Sequence, residues 1–106
     1  MGARRVLVAN EFTSYRQTLA TVIRDLRPHV EVFEAESESL DGEVARLSPD
    51  LVICSRVTHA VKQRVANWVE RYLDYKPYST FYIGGERRAK WDVQLSDLLA
   101  LCASPP

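Results

Sequence analysis

The 106-residue chain is 46% hydrophobic and 26% charged, the balance of one soluble, core-forming domain, and this excludes intrinsic disorder, which needs low hydrophobicity or a strong net charge. Fourteen Lys and Arg balance fourteen Asp and Glu, so no global field draws the chain to nucleic acid or to an acidic membrane. The apolar runs fall far short of the roughly 20 residues of a membrane helix, and Met1-Gly2-Ala3-Arg4-Arg5 passes directly into a strand pattern without the apolar stretch of an export signal.

Residues 4–9 form a β-branched run typical of a strand buried on both faces. After the polar loop Asn10 to Thr13, Ser14 and Gln17 make a capping-box pattern, and Tyr15, Leu19, Val22, Ile23 and Leu26 fall on one helical stripe that Pro28 ends. Val30 to Glu36 reads as a second strand, with Val30 and Val32 alternating against Glu31. Leu40, Val44 and Leu47 mark a short helix weakened by Gly42, and Ser48-Pro49-Asp50 is a stop and turn. Leu51-Val52-Ile53-Cys54 is the next central strand.

The spacing of Val61, Val65, Trp68, Val69, Tyr72 and Leu73 predicts the longest helix, from His59 to Tyr75, closed by Pro77. Ser79 to Ile83 reads as a fourth strand stopped by Gly84-Gly85. In the tail, either a helix starts near Asp92, or Trp91 to Leu95 is a short fifth strand with Ser96 capping a helix from Asp97. The expected architecture is a single α/β domain over residues 1–106 with a frayed tail at 103–106. It is a three-layer, doubly wound, mainly parallel sheet of four or five strands in the flavodoxin manner. Chemistry in such sheets gathers outside the carboxyl ends of the strands, here Asn10-Glu11, Glu36, Ser55-Arg56 and Gly84-Gly85.

The stretches Arg5 to Glu11, Pro49 to Ser55 and Thr80 to Gly84 resemble the first, third and fourth strands of the receiver domain of two-component response regulators. The resemblance covers roughly residues 4–85 and implies a receiver-like fold. It also implies a pocket formed by Asn10, Glu11, Ser55 and Gly84, where the family has its acidic pair, its phosphoaccepting aspartate and its hydroxyl residue. The family's fifth-strand lysine has no clear match, Gln94 being the nearest. An aspartyl phosphate needs a carboxylate nucleophile, which Ser55 lacks, and Glu11 alone supplies a carboxylate to a metal. The reading is therefore a degenerate receiver that catalyses nothing and holds no metal or cofactor. It would act in the cytoplasm through a protein partner in a signalling pathway, with homodimerisation as one form and no direct contact with nucleic acid or membrane.

Other residue patterns offer sharper chemistry and each has a plainer reading. Ser55 with His59 as base would be an alternative phosphoacceptor, against a small polar strand-end residue beside a solvated histidine. Gly84-Gly85 with Gly85, Arg87 and Arg88 would cradle a nucleotide phosphate or other anion, the alternative function, against a basic loop. Cys54 and Cys102 read as buried thiols rather than metal ligands or a disulfide. Trp68, Tyr72 and Trp91, with Leu95, Leu98 and Leu99 of the tail, are the candidate interface, against ordinary core packing. On that interface reading, Leu98→Glu yields a folded monomer.

Overall fold

The computed structural model describes residues 2–71 and 78–103. Strand β1 (Arg5–Ala9) leads through α1 (Thr13–Leu26) to β2 (Glu31–Glu34). A single 3-10 turn, Ser37–Ser39, then runs into α2 (Leu40–Leu47). Next come β3 (Leu51–Cys54), α3 (His59–Arg64) and β4 (Asn67–Glu70), then β5 (Tyr78–Ile83), β6 (Glu86–Trp91) and α4 (Leu95–Leu99).

The strands form one sheet in the order β2-β1-β3-β4-β5-β6. β2, β1, β3 and β4 are mutually parallel, whereas β5 runs antiparallel to β4 and β6 antiparallel to β5. The sheet is thus six-stranded and mixed, which corrects the expected doubly wound parallel sheet of four or five strands in the flavodoxin and receiver manner.

Two local causes account for the difference. The first lies in residues 59–75. The helix stops at Arg64, Val65 turns extended (φ −110°, ψ 127°), and Asn67–Glu70 becomes β4. Val65, Trp68 and Val69 satisfy helical spacing, but they are also β-branched or aromatic residues that suit a pleated surface. As a strand, the segment completes the ladder along the otherwise open edge of β3 and buries Trp68 and Val69 on opposite faces of the sheet. The second cause is Gly84-Gly85. Both residues have positive φ (61° and 84°), the geometry of a two-residue hairpin turn that only glycine adopts without strain. The chain therefore reverses into β6 instead of crossing over. The link from β4 to β5 is likewise too short for the dozen or more residues that a parallel crossover needs.

Helices cover both faces. On one, α1 and α4 pack on Val6, Val8, Ile53, Val69 and Phe81; on the other, α2 and α3 pack on Leu7, Val52, Cys54 and Trp68. The continuous apolar runs of β1 and β3 exist because both faces are covered: Val6, Leu7, Val8, Leu51, Val52 and Ile53 have no exposed surface.

The ends of the elements differ from expectation in detail. Phe12, not Ser14, is the N-cap of α1, and it makes no side-chain cap bond. The capping box lies instead at α4, where Gln94 and Asp97 bond reciprocally. The Asp97 carboxyl is held below its ordinary range, first by the Gln94 N–H and then by Lys90, at 2.9 Å. Trp91 ends β6 and Leu95 begins α4, so no strand spans 91–95. Ala103, placed in the frayed tail by composition, is buried and donates its N–H to the Ala3 carbonyl at 2.8 Å. Ala3 in turn donates to Leu101, which closes a parallel bridge between Ala3 and Cys102. Gly2 makes this closure sterically feasible, since a Cβ there would lie 2.5 Å from the Cys102 backbone. Among the described residues, no helix is long and apolar enough to cross a membrane.

Candidate functional site

The parallel strands β1 and β3 are the adjacent pair whose crossovers leave in opposite directions, so the carboxyl end of this pair is where a ligand crevice opens in such sheets. Registers here define successive rows. Val8, Ile53, Val69 and Phe81 pair across β1, β3, β4 and β5 as an apolar row beneath α1. Ala9, Cys54, Glu70 and Thr80 form the next row, on the opposite face. One residue further on, back on the α1 face, stand Asn10, Ser55, Arg71 and Ser79.

Three hydrogen bonds hold this polar row. Glu11 donates its N–H to Ser55 Oγ at 2.8 Å, Arg71 donates its N–H to the Cys54 carbonyl at 2.8 Å, and the Arg71 guanidinium reaches Ser79 Oγ at 3.5 Å. Arg16, from the first turn of α1, donates to the Asn10 carbonyl at 3.1 Å. The Arg71 guanidinium also lies 5.7 Å from the centre of the Tyr15 ring. Burial raises the Tyr15 hydroxyl pKa, against the opposing pull of Arg71.

Asn10 is 0% exposed, and neither its Oδ1 nor its Nδ2 has a hydrogen-bond partner. The Nε atoms of Arg16 and Arg71 are likewise buried and unpartnered. An orphaned buried amide costs on the order of 1–3 kcal/mol, so this end of the sheet is a place where the fold keeps unused donors.

Asn10, Glu11 and Ser55 are brought together as the strand ends imply, with Glu11 exposed and the other two buried. Gly84 is not with them. Because β5 is antiparallel, Gly84 lies at the opposite end of the sheet, where its N–H is taken by Asn67 Oδ1 at 3.0 Å. His59 is exposed at the start of α3, on the face of the sheet away from Ser55, so it is not placed to act as its base. Ser55 has a hydroxyl that already accepts a backbone N–H and no carboxylate in its row.

The proposed anion cradle separates for a related reason. Gly84 and Gly85 are the hairpin turn, and strand alternation sends Arg87 and Arg88 to opposite faces. Arg87 lies over the Trp68 ring at 5.7 Å, and Arg88 pairs with Glu86 at 2.7 Å. Their charges do not converge on the turn.

The candidate interface divides as well. Trp68 is 2% exposed and stacks on Tyr82, ring centres 5.3 Å apart. Leu98 and Leu99 are core residues beneath α1, because α4 inserts that side into the sheet face. Trp91, at 62% exposure, and Leu95, at 40%, are the members open to a partner. Tyr72 lies outside the described residues. Cys54 and Cys102 are both free and buried, and burial, reinforced by Glu70, pushes the Cys54 thiol up to about 12.

Arg71, Ser79, Tyr15 and Arg16 were not among the sequence-derived site residues. Arg71 fell within a supposed helix and Ser79 at a strand start, and only the β4–β5 pairing puts them in one row. Compared with known proteins, the chain matches no family model, no curated protein and no solved structure.

Proposed function

We propose that this chain is a non-catalytic regulatory module of the cytoplasm that binds a protein partner along the open edge of β6, a second copy of itself being one such partner. The edge carries the reading. A two-residue turn closes on a hydrogen-bonded pair, Ile83 and Glu86, and bonded pairs then alternate along the hairpin. Arg87, Ala89 and Trp91 consequently direct their N–H and C=O groups away from β5. All six residues of β6 are exposed, and among the described residues no further strand of the sheet lies beyond it. An extended segment added here gains main-chain hydrogen bonds, and Trp91, tilted against Tyr78 at 5.5 Å, offers an aromatic anchor at the end of the strand. Arg87, Arg88 and Lys90 discourage indiscriminate pairing, as charges on edge strands do.

The signalling part of the proposal draws on the resemblance of the β1 and β3 segments to a receiver in which Ser55 stands where the family has its phosphoaccepting aspartate. Incubation with acetyl phosphate and magnesium is expected to leave the intact mass unchanged, and a stoichiometric gain of one phosphate would show that the module is catalytically competent after all.

The binding edge is tested by placing a photo-crosslinking residue at Arg87, with one at His59 as control, and by Ala89→Pro. Proline removes only the outward N–H at that position, a change that edge strands accept. Crosslinked species at Arg87, or dimers in sedimentation velocity, that disappear with Ala89→Pro while circular dichroism is unchanged support the edge. Equal crosslinking at Arg87 and His59, or pairing that survives the proline, sinks it.

A further inference from the structure

Three cations lie on β6, and they are not equivalent. Strand alternation puts Glu86, Arg88 and Lys90 on the α4 side of the sheet and Arg87, Ala89 and Trp91 on the other. The α4 side is charge-balanced, because Arg88 pairs with Glu86 at 2.7 Å and Lys90 with Asp97 at 2.9 Å. On the other side Arg87 is exposed, lies over the Trp68 ring and forms no ion pair among the described residues. Glu70, on that same face but two strands inward, is engaged by the Val57 N–H at 2.8 Å.

Arg87, Ala89 and Trp91 are also the residues whose main-chain groups point away from β5. A segment that adds to the edge therefore sets its own side chains opposite these three, on the face where the unbalanced cation stands. Opposite charges across a strand pair stabilise it and like charges destabilise it. Ala89 is small and stands between Arg87 and Trp91, which is 62% exposed, so the face offers a cation, a low point and an indole in succession.

A second copy fits this edge less well. Antiparallel two-fold pairing that uses at least two of the outward residues has three registers. They set Arg88 against its own copy, Arg88 against Lys90, or Lys90 against its own copy. Each register brings ion-paired cations face to face and leaves Arg87 without a carboxylate opposite it.

We propose that the partner of the β6 edge is an acidic, extended segment of another protein, with a carboxylate side chain opposite Arg87 and the neighbouring side chains of that face over Ala89 and Trp91. This rests on the edge reading above and narrows it from any protein segment to an acidic one, a second copy being the weaker occupant.

Short blocked peptides of alternating threonine and glutamate are the probe, with threonine–glutamine and threonine–lysine peptides of the same length as neutral and cationic counterparts. Each is titrated into the full chain and followed by amide chemical shifts. The acidic peptide is expected to bind saturably at millimolar concentrations, with shifts clustered on Arg87, Ala89 and Trp91. It should bind about three- to fivefold more tightly than the neutral peptide, as one exposed charge pair allows, and the cationic peptide most weakly. The three affinities should converge at high ionic strength. Arg87→Gln should bring the acidic peptide to the level of the neutral one, and Arg87→Glu should reverse the order of acidic and cationic peptides. The salt series on the unaltered protein stands even if a variant fails to fold. Equal affinities with shifts on the edge, no saturable binding, or an acidic preference that survives Arg87→Gln would overturn the acidic partner and leave the edge itself standing. Dimers that Ala89→Pro abolishes but the acidic peptide does not displace would do the same, giving the edge to a second copy. Peptide binding with shifts away from β6 and indifferent to Ala89→Pro would overturn the acidic partner and the edge together.

Discussion

Leu98→Glu is expected to unfold the protein rather than to release a folded monomer. Leu98 is 2% exposed and belongs to the core beneath α1, together with Leu19, Ile23 and Phe81. The substitution forfeits roughly 2–3 kcal/mol of apolar burial and adds a carboxylate that has to be buried unpaired or to force α4 off the sheet. Together these approach the whole stability of a small domain, on the order of 5–15 kcal/mol. Urea denaturation followed by circular dichroism is the measurement, and Leu95→Glu, at a 40% exposed position of the same helix, is the control, expected within about 1 kcal/mol of the parent. A Leu98→Glu protein with an unshifted midpoint would mean that α4 is not part of the core.

Alkaline pH is expected to weaken the fold through Cys54. Unfolded, this thiol ionises near its ordinary value of 9.0; folded, burial first and the Glu70 carboxylate second keep it protonated to about 12. The native state therefore holds a proton through that window which the unfolded chain releases. Stability is complete below pH 9 and falls as pH rises toward 12, by about 1.4 kcal/mol per pH unit for one thiol. Cys102 and Tyr15, both also raised by burial, act in the same direction. Thermal midpoints between pH 8 and 11 should decline more steeply for the parent than for Cys54→Ala. The comparison of slopes is independent of any packing loss from the substitution itself. Parallel slopes would remove Cys54 from the account.

How much of this was legible beforehand depended on whether one element decided the matter. The runs 6–9 and 51–54 declared themselves as central strands because nothing polar interrupts them, and both are covered on each face. The stripe of α1 and the short α2 were legible despite Gly42, whose entropic cost the burial of Leu40, Val44 and Leu47 outweighs and which no close packing requires, since nothing lies within 4 Å of where its Cβ would stand. Residues 59–75 were not legible, since Val61, Val65, Trp68 and Val69 fit a helix and a strand equally well and β3's open edge chose between them. Gly84-Gly85 did carry the hairpin signal, but Glu86-Arg-Arg-Ala-Lys-Trp91 lacks the alternation that would have announced a strand after it. Of the site, Asn10, Glu11 and Ser55 could be placed together from strand ends alone. Gly84 went to the wrong end and Ser79 was missed because the reversal of β5 was unread, and Arg71 was missed because β4 was read as helix.

The bridge between Ala3 and Cys102 has a kinetic consequence. It joins residues from the two ends of the chain, so its closure loop takes in nearly the whole molecule, and bringing such ends together costs roughly 4 kcal/mol of chain entropy before any contact forms. The β5–β6 hairpin, closed by two residues, faces almost no such cost. Folding should therefore proceed from hairpin and local β–α units toward the ends, with the bridge docking last and opening first. In native-state hydrogen exchange the amides of Ala3 and Ala103 would then exchange together, well ahead of those of β1 and β3. Gly2→Ala, which crowds only this closure, would speed that exchange while leaving the amides of the central strands nearly untouched.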